Sequence, residues 1–141
     1  MSVHIAINGF GRVGRYLVRA CLDNDAIDIV AINSRAKPSN LAHLLKYDSV
    51  HGTFAAEVKA EADALTVNGK RIPITTQTGA LSELPWKSLG VDIVMECTGK
   101  FRKRDELAGH LDAGAKKVLL AVPGKKMDAT LVMGVNEETY D

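Results

Sequence analysis

The chain has 141 residues, of which 46% are hydrophobic and 25% are charged, a composition typical of one globular domain with its own core. The 18 basic and 17 acidic residues leave a formal charge of +1, which makes nucleic-acid binding or attraction to anionic membranes unexpected. No apolar run approaches the roughly 20 residues of a membrane span. With no secretion signal and only two cysteines, we expect a reduced, cytoplasmic protein.

The N-terminal third has the pattern of a strand, a helix and a second strand. Val3–Ile7 is a short apolar run, as in a buried strand. From 12 to 22, apolar residues recur every four positions, which predicts one face of a helix. Residues 27–33 form another apolar run. Two strands joined by a helix lie parallel in a sheet that buries both faces.

The middle of the chain predicts a helix and then a hairpin. Ser39 is placed to cap a helix that runs through Leu41 and Leu45. Asn68-Gly69 then stands between two β-rich runs, which is a strong hairpin signal. The predicted strands of this stretch are Phe54–Ala60, Ala64–Val67 and Lys70–Thr75.

The last third returns to alternating strands and helices. Apolar runs predict strands at 91–95, 117–122 and 130–134, and a helix is predicted at 104–113. The whole order predicts an α/β fold, a doubly wound Rossmann-like parallel sheet with an antiparallel hairpin insertion. No element that would dock on the core follows the last strand, so we expect the chain to be one domain of a larger protein.

A glycine motif at the end of the first strand predicts a dinucleotide site. Residues 9–14, GFGRVG, fit G-x-G-x-x-G, and they follow a strand and open a helix. In such loops the first glycine turns the chain, the second lets the backbone approach a pyrophosphate, and the third allows close packing. The free N–H groups of the helix start then bind phosphate oxygens. The alternative is a turn that needs glycine only for its geometry. The predicted contacts are Asn8, Gly9, Phe10, Gly11, Arg12, Val13 and Gly14.

Two further strand ends belong to the same predicted site, because ligands of open α/β sheets bind beyond the carboxyl ends of the strands. Thr98 and Gly99 offer a hydroxyl and backbone groups, and Phe101 offers an apolar surface. Ala121 follows the 117–122 run. Ordinary connecting loops are the alternative for both.

Several longer segments carry a family resemblance. INGFGRVGR, LAHLLKYDSVHGTF, GVDIVMECTGKF, AGAKKVLL and DATLVMGVNEETYD resemble the N-terminal domain of the phosphorylating glyceraldehyde-3-phosphate dehydrogenases, in register from Val3 to Asp141. The resemblance implies a nicotinamide-dinucleotide-binding domain over 1–141. It also implies a tetrameric glycolytic enzyme that oxidises glyceraldehyde 3-phosphate to 1,3-bisphosphoglycerate, with the Lys46–Gly52 loop at a subunit interface. Erythrose-4-phosphate dehydrogenase and a stand-alone nucleotide-binding module are the alternatives.

The resemblance also implies that the catalytic domain is absent from this chain. The family's nucleophilic cysteine lies in an S-C-T-T-N motif that would follow Asp141, so we expect no catalytic residue and no activity from these residues alone. Cys97 lies where the family usually has serine, and we expect an unreactive thiol. No histidine pair has the spacing of metal ligands. The charge run Lys100–Glu106 is expected to be a solvated helix face.

The cofactor-binding positions depart from the family pattern at three places. Ser34, which lies between Asn33 and Arg35, stands where the family commonly has aspartate, and it follows Gly14 at the spacing of the ribose-binding acid. Losing a carboxylate removes repulsion of a 2′-phosphate, and Arg35 adds a planar cation suited to phosphate. We therefore predict binding of both NAD and NADP, or preference for NADP. The alternative is that Arg35 points into solvent and NAD remains the cofactor.

The other two departures concern single contacts. Ala121 stands where many family members have a serine, and Thr78 lies near a position where they often have an arginine, whose contact is mainly through the backbone.

Overall fold

Nine strands, three α-helices and two single-turn 3-10 helices (Leu81–Glu83 and Glu137–Thr139) make up the regular structure of the computed structural model, which describes residues 1–141. The helices are α1 (Arg12–Cys21), α2 (Pro38–Lys46) and α3 (Arg104–Asp112). The strands are β1 (Val3–Asn8), β2 (Ile27–Asn33), β3 (Tyr47–Asp48), β4 (Gly52–Thr53), β5 (Val58–Ala60), β6 (Ala64–Val67), β7 (Lys70–Thr75), β8 (Ile93–Glu96) and β9 (Lys117–Leu120).

The main sheet has seven strands in the order β5-β6-β7-β2-β1-β8-β9. The five strands from β7 to β9 are parallel, and β5, β6 and β7 pair antiparallel. The chain moves outward from β1 through β2, then returns to the other side of β1 with β8. This reversal is the switch point at which open α/β sheets bind ligands. The predicted fold class is confirmed, including the antiparallel insertion.

Both faces of the central strands are buried, which explains their continuous apolar runs. On one face, Ile7 and Ile32 pack with side chains of α1 and α2. On the other face, Ala6 and Ala31 pack against Trp86 and neighbouring apolar side chains. Small side chains on that second face leave room for the indole ring.

The hairpin prediction is confirmed at its turn. Asn68 and Gly69 have φ of 49° and 82°, the two positive values that a type I′ turn requires. The turn joins β6 and β7, whose register pairs Val67 with Lys70.

The predicted strand at 130–134 is wrong, because the segment has no ladder partner. The Val132 carbonyl instead accepts the N–H groups of Val135 and Asn136, at 3.0 and 3.1 Å. The Asn136 side chain closes the same turn by accepting the Val132 N–H at 2.6 Å. Apolar composition therefore favours a strand here, but local hydrogen bonds form a turn.

Other predicted boundaries shift. α2 begins at Pro38 after Lys37, so Ser39 lies inside the first turn and does not cap the helix. Proline is well suited to that first position, where no N–H bond is lost. The predicted strand Phe54–Ala60 shortens to β5, and the shorter bounds of β8 and β9 replace 91–95 and 117–122.

Candidate functional site

A cleft of about 470 Å³ opens at the carboxyl ends of β1, β2 and β8. Its walls come from the glycine loop, the loop after β2, helix α2, the segment after β7 and the loop after β8. The structure therefore brings together segments that are far apart in sequence. Of the predicted site residues, those that line the cleft are Asn8, Gly9, Phe10, Gly11, Asn33, Ser34, Arg35, Thr78, Thr98 and Phe101. Those outside its lining are Arg12, Val13, Gly14, Gly99 and Ala121.

The three glycines of the loop meet different surroundings. A Cβ at Gly9, whose φ is +91°, would lie 2.8 Å from the backbone nitrogen of Thr98. A Cβ at Gly14 would lie 2.4 Å from the Gly9 carbonyl oxygen. At Gly11 nothing lies within 4 Å of that position. Gly9 and Gly14 therefore permit close packing, whereas Gly11 leaves its backbone open to the cleft.

The start of α1 is uncapped. Its N-cap is Gly11, and no side chain bonds to the first turn. The leading N–H groups of a helix, here those of Arg12 and Val13, have no partner within the helix. Arg15 steadies the loop by donating from Nη1 to the Phe10 carbonyl, at 3.1 Å. An exposed, uncapped helix start of this kind attracts anions.

The loop after β2 carries polar and basic groups but no acid. The Ser34 N–H donates to the Thr75 carbonyl at 2.9 Å, and its hydroxyl accepts the Ala36 N–H at 3.4 Å. Arg35 is exposed at the cleft and has no ion-pair or hydrogen-bond partner. The charged residues that line the cleft are Arg35 and Lys100, and no carboxylate joins them. The electrostatics of the lining thus favour an anionic ligand.

Asn8 and Asn33 are buried, and their side chains bond within the protein. The Asn33 amide nitrogen donates to the Asn8 amide oxygen at 2.8 Å. The Asn33 oxygen accepts from the Thr75 hydroxyl and from the Gln77 N–H, at 2.8 and 3.0 Å. These bonds tie the ends of β1, β2 and β7 together beneath the cleft.

Glu96, at the end of β8, is a fully buried carboxylate. Its Oε2 accepts bonds from Asn8 Nδ2 and His110 Nε2, each at 2.7 Å. Its Oε1 accepts the hydroxyl and the N–H of Thr98, at 2.5 and 3.2 Å. Burial alone would raise the pKa of Glu96, but these hydrogen bonds outweigh it and hold the pKa below its ordinary value. Glu96 is therefore ionised at neutral pH.

Cys97 lines the cleft, yet its surroundings suppress thiolate formation. Burial and the neighbouring Glu96 charge raise its pKa to about 11. Burial also raises the pKa of Cys21, which packs against the core. Since the thiolate is the nucleophile, these raised pKa values disfavour reaction of either cysteine at neutral pH.

Sequence reasoning missed part of the cleft. Leu41 and Leu44 line it from α2, and their helical spacing could have indicated an apolar wall. Lys100 also lines it. The expected solvated helix face over Lys100–Glu106 is exposed and lies on α3 from Arg104 onward, but Lys100 itself lies in the loop before the helix. No sequence pattern indicated a role for Glu96, since a single acid at the end of an apolar strand belongs to no motif or periodicity.

The structure also bears on metal binding and on membrane insertion. No group of three or more histidine, cysteine, aspartate or glutamate side chains is arranged to hold a metal ion. None of the three helices is long and apolar enough to cross a membrane.

The sequence is similar to those of known dehydrogenases. Residues 3–104 match the family described as glyceraldehyde 3-phosphate dehydrogenase, NAD binding domain. The chain is 49% identical over 141 residues to glyceraldehyde-3-phosphate dehydrogenase 2 of Bacillus subtilis, covering all of this chain and 41% of that protein. It is 51% identical to the Geobacillus stearothermophilus enzyme, covering all of this chain and 42% of that protein. For the Pseudomonas aeruginosa enzyme the identity is 51%, covering 98% and 42%. The chain thus spans about two fifths of the length of these relatives.

Proposed function

The chain belongs to the glyceraldehyde-3-phosphate dehydrogenase family and forms an NAD-binding domain of that family; from this premise we propose that its cleft binds the dinucleotide with the pyrophosphate at the glycine loop. The open space at Gly11 carries this proposal, because a ligand can approach that backbone without displacing a side chain. The uncapped start of α1, with Arg12 and Val13, supports the same placement. When bound, the nicotinamide supplies a hydride acceptor.

We assign the adenosine end to the loop after β2. Asn33, Ser34 and Arg35 lie together there, and Leu41 and Leu44 offer an apolar wall for the adenine. The lining has two cations and no carboxylate. A 2′-phosphate would therefore meet attraction from Arg35 and no repulsion, which favours NADP or both cofactors over strict NAD use.

Three further predicted contacts lie along the other walls. Thr98 and Phe101 border the cleft from the loop after β8, and Thr78 borders it from the loop after β7. Gly99 and Ala121 lie outside the lining, so we keep them as contacts only by the family pattern.

Calorimetric titration with each nucleotide tests the cofactor proposal. We expect NADP to bind at least as tightly as NAD, and Ser34→Asp to weaken NADP binding by about 10- to 100-fold through charge repulsion. Ser88→Asp adds the same charge on an exposed side chain outside the cleft and serves as the control, with an unchanged ratio of affinities. Tight NAD binding without measurable NADP binding would refute the NADP preference while leaving the domain assignment intact.

We further propose that the whole protein oxidises glyceraldehyde 3-phosphate with phosphate, as a homotetramer in the cytoplasm. These 141 residues alone are expected to give no turnover, because the thiols of Cys21 and Cys97 stay protonated. An assay of NADH or NADPH formation with aldehyde and phosphate tests this statement. Turnover by the 141-residue chain would show that a nucleophile other than these thiols operates.

A further inference from the structure

A continuous chain of buried hydrogen bonds runs beneath the cleft, and the proposed function does not use it. It begins at Asn33, passes through Asn8 to Glu96, and continues through His110 to Trp86. All five side chains are buried. Burying polar groups costs desolvation free energy, and hydrogen bonds to partners offset that cost. Each of these five side chains has a hydrogen-bond partner in the chain, so the chain can hold its members in one arrangement.

Glu96 holds the loop after β8 in place through Thr98. The Thr98 N–H and hydroxyl both donate to Glu96. The same hydroxyl accepts the Lys100 N–H at 3.2 Å. The hydroxyl proton of Thr98 is therefore already used within the protein, and the residue acts on the cleft through its position.

The position of Thr98 matters because it packs against Gly9. The methyl carbon and backbone of Thr98 leave no room for a Cβ at Gly9, with distances of 2.8 to 2.9 Å. Asn8, the residue before Gly9, also bonds to Glu96. One carboxylate thus tethers both loops that face each other at the switch point.

His110 and Trp86 complete the chain on the face of the sheet that α3 covers. The Trp86 indole N–H can only donate, so at 3.0 Å it makes His110 Nδ1 the acceptor. The proton of the neutral ring then lies on Nε2, which donates to Glu96. Trp86 is the single tryptophan of the chain, which makes it a specific spectroscopic probe.

We propose that Glu96 is a positioning residue of the nucleotide site: its carboxylate sets the spacing of the Gly9 and Thr98 loops, and through His110 it links the cleft to Trp86. This inference rests on the proposed nucleotide binding. Glu96 does not line the cleft, so it acts on the ligand through the two loops and makes no contact of its own. Occupation of the cleft changes the surroundings of the Trp86 indole N–H.

Glu96→Gln tests the inference, because a carboxamide has one acceptor oxygen and cannot satisfy all four donors. We expect nucleotide affinity, measured by calorimetry, to fall by roughly 3- to 30-fold. Val94→Ala is the matched control, since Val94 is fully buried on the same strand and outside the cleft. It should lower the melting temperature and leave the affinity unchanged. Equal affinities of the two variants would overturn the positioning role but not the proposed function.

His110→Phe and His110→Gln test the same link from the far side of the sheet. Phenylalanine removes the donor to Glu96 and should weaken nucleotide binding, whereas glutamine can donate an amide N–H and should restore part of it. Identical affinities for these two variants and the wild type would contradict the link.

The wild-type chain provides a test that needs no variant. In a nitrogen–proton NMR spectrum, the single indole N–H signal of Trp86 should shift as NAD or NADP saturates the cleft. An unchanged indole signal at saturation would overturn the link to Trp86. If neither nucleotide binds the wild type, the proposed function fails and this inference fails with it.

Discussion

Gly9, Gly11 and Gly14 share one motif but serve three separate physical purposes. Gly9 lets the backbone of Thr98 approach, Gly14 lets α1 lie against the Gly9 carbonyl, and Gly11 leaves space in the cleft. The sequence motif predicts the three glycines together and does not distinguish their roles. The atoms around each Cβ position show which glycines are needed for packing and which one leaves the backbone accessible to a ligand.

Substitution by alanine should separate these roles. Gly14→Ala places a methyl group against backbone that cannot move aside, so it should lower the free energy of unfolding by about 1–3 kcal/mol. Gly11→Ala should change that free energy by less than about 1 kcal/mol, yet weaken nucleotide binding by at least about tenfold. Thermal unfolding and calorimetry of both variants provide the measurements. Equal nucleotide affinity of Gly11→Ala and the wild type would argue against pyrophosphate binding at this loop.

At the scale of elements, the two carboxyl ends at the switch point decide where the cleft forms. β1 leads into the glycine loop, and β8 leads into the Thr98 loop.

Away from this edge, the short β3–β4 hairpin owes its turn to one side chain. Asp48 Oδ1 accepts the N–H groups of Val50 and His51, both at 2.8 Å. These backbone bonds lower the pKa of Asp48 from 3.8 to about 2.

The β3–β4 turn should therefore respond to acid at an unusually low pH. Because the folded-state pKa is lowered, the stabilisation by Asp48 is complete above its unfolded value of 3.8 and is lost as pH falls through about 2. We expect the amide signal of Val50 to shift near pH 2, and not near the ordinary carboxyl value of 3.8. Asp48→Asn keeps an acceptor oxygen and should abolish this step. A shift near pH 4 in the wild type would contradict the assignment.

At the scale of the whole molecule, two groups of exposed apolar side chains lie on the surface. Tyr16, Tyr47 and Val50 form a patch beside the β3–β4 hairpin, with Val50 77% exposed. Residues 131–135 carry a second patch, in which Met133 is 81% exposed. Patches of this kind usually mark surfaces that another chain or domain covers. The first patch coincides with the Lys46–Gly52 loop, for which we predict a subunit interface.

The chain should therefore self-associate as its concentration rises. Light scattering after size-exclusion chromatography should give a mass above the 15.2 kDa of one chain. Val50→Lys should reduce this mass because it places a charge in the hairpin patch. Leu111→Lys changes an exposed apolar residue on α3, outside both patches, and should have no effect. A monomer at high concentration would be evidence against the interface.

Local sequence patterns were sufficient to predict much of the fold of this protein. The glycine loop, the Asn68-Gly69 turn and the buried apolar runs each depend on neighbouring residues, so the sequence by itself determined the fold class and the position of the glycine loop. The absence of an acid after β2 could also be predicted from the sequence. Gly14 and Ser34 belong to one strand–helix–strand unit, so their spacing along the chain locates the position after β2. The strand predicted at 130–134 failed because a strand needs a partner, which composition does not provide.

Contacts between distant segments were decided only by the tertiary structure. Thr98 meets Gly9, and Glu96 meets His110 and Asn8, because strand pairing aligns β1 with β8 and packs α3 beside them. No local pattern marks Glu96, since its ionisation and its bonds depend on groups from other elements. The sequence determined which chemical groups the site would contain; the order of the strands decided which of them touch, because hydrogen bonding and close packing depend on distance in space.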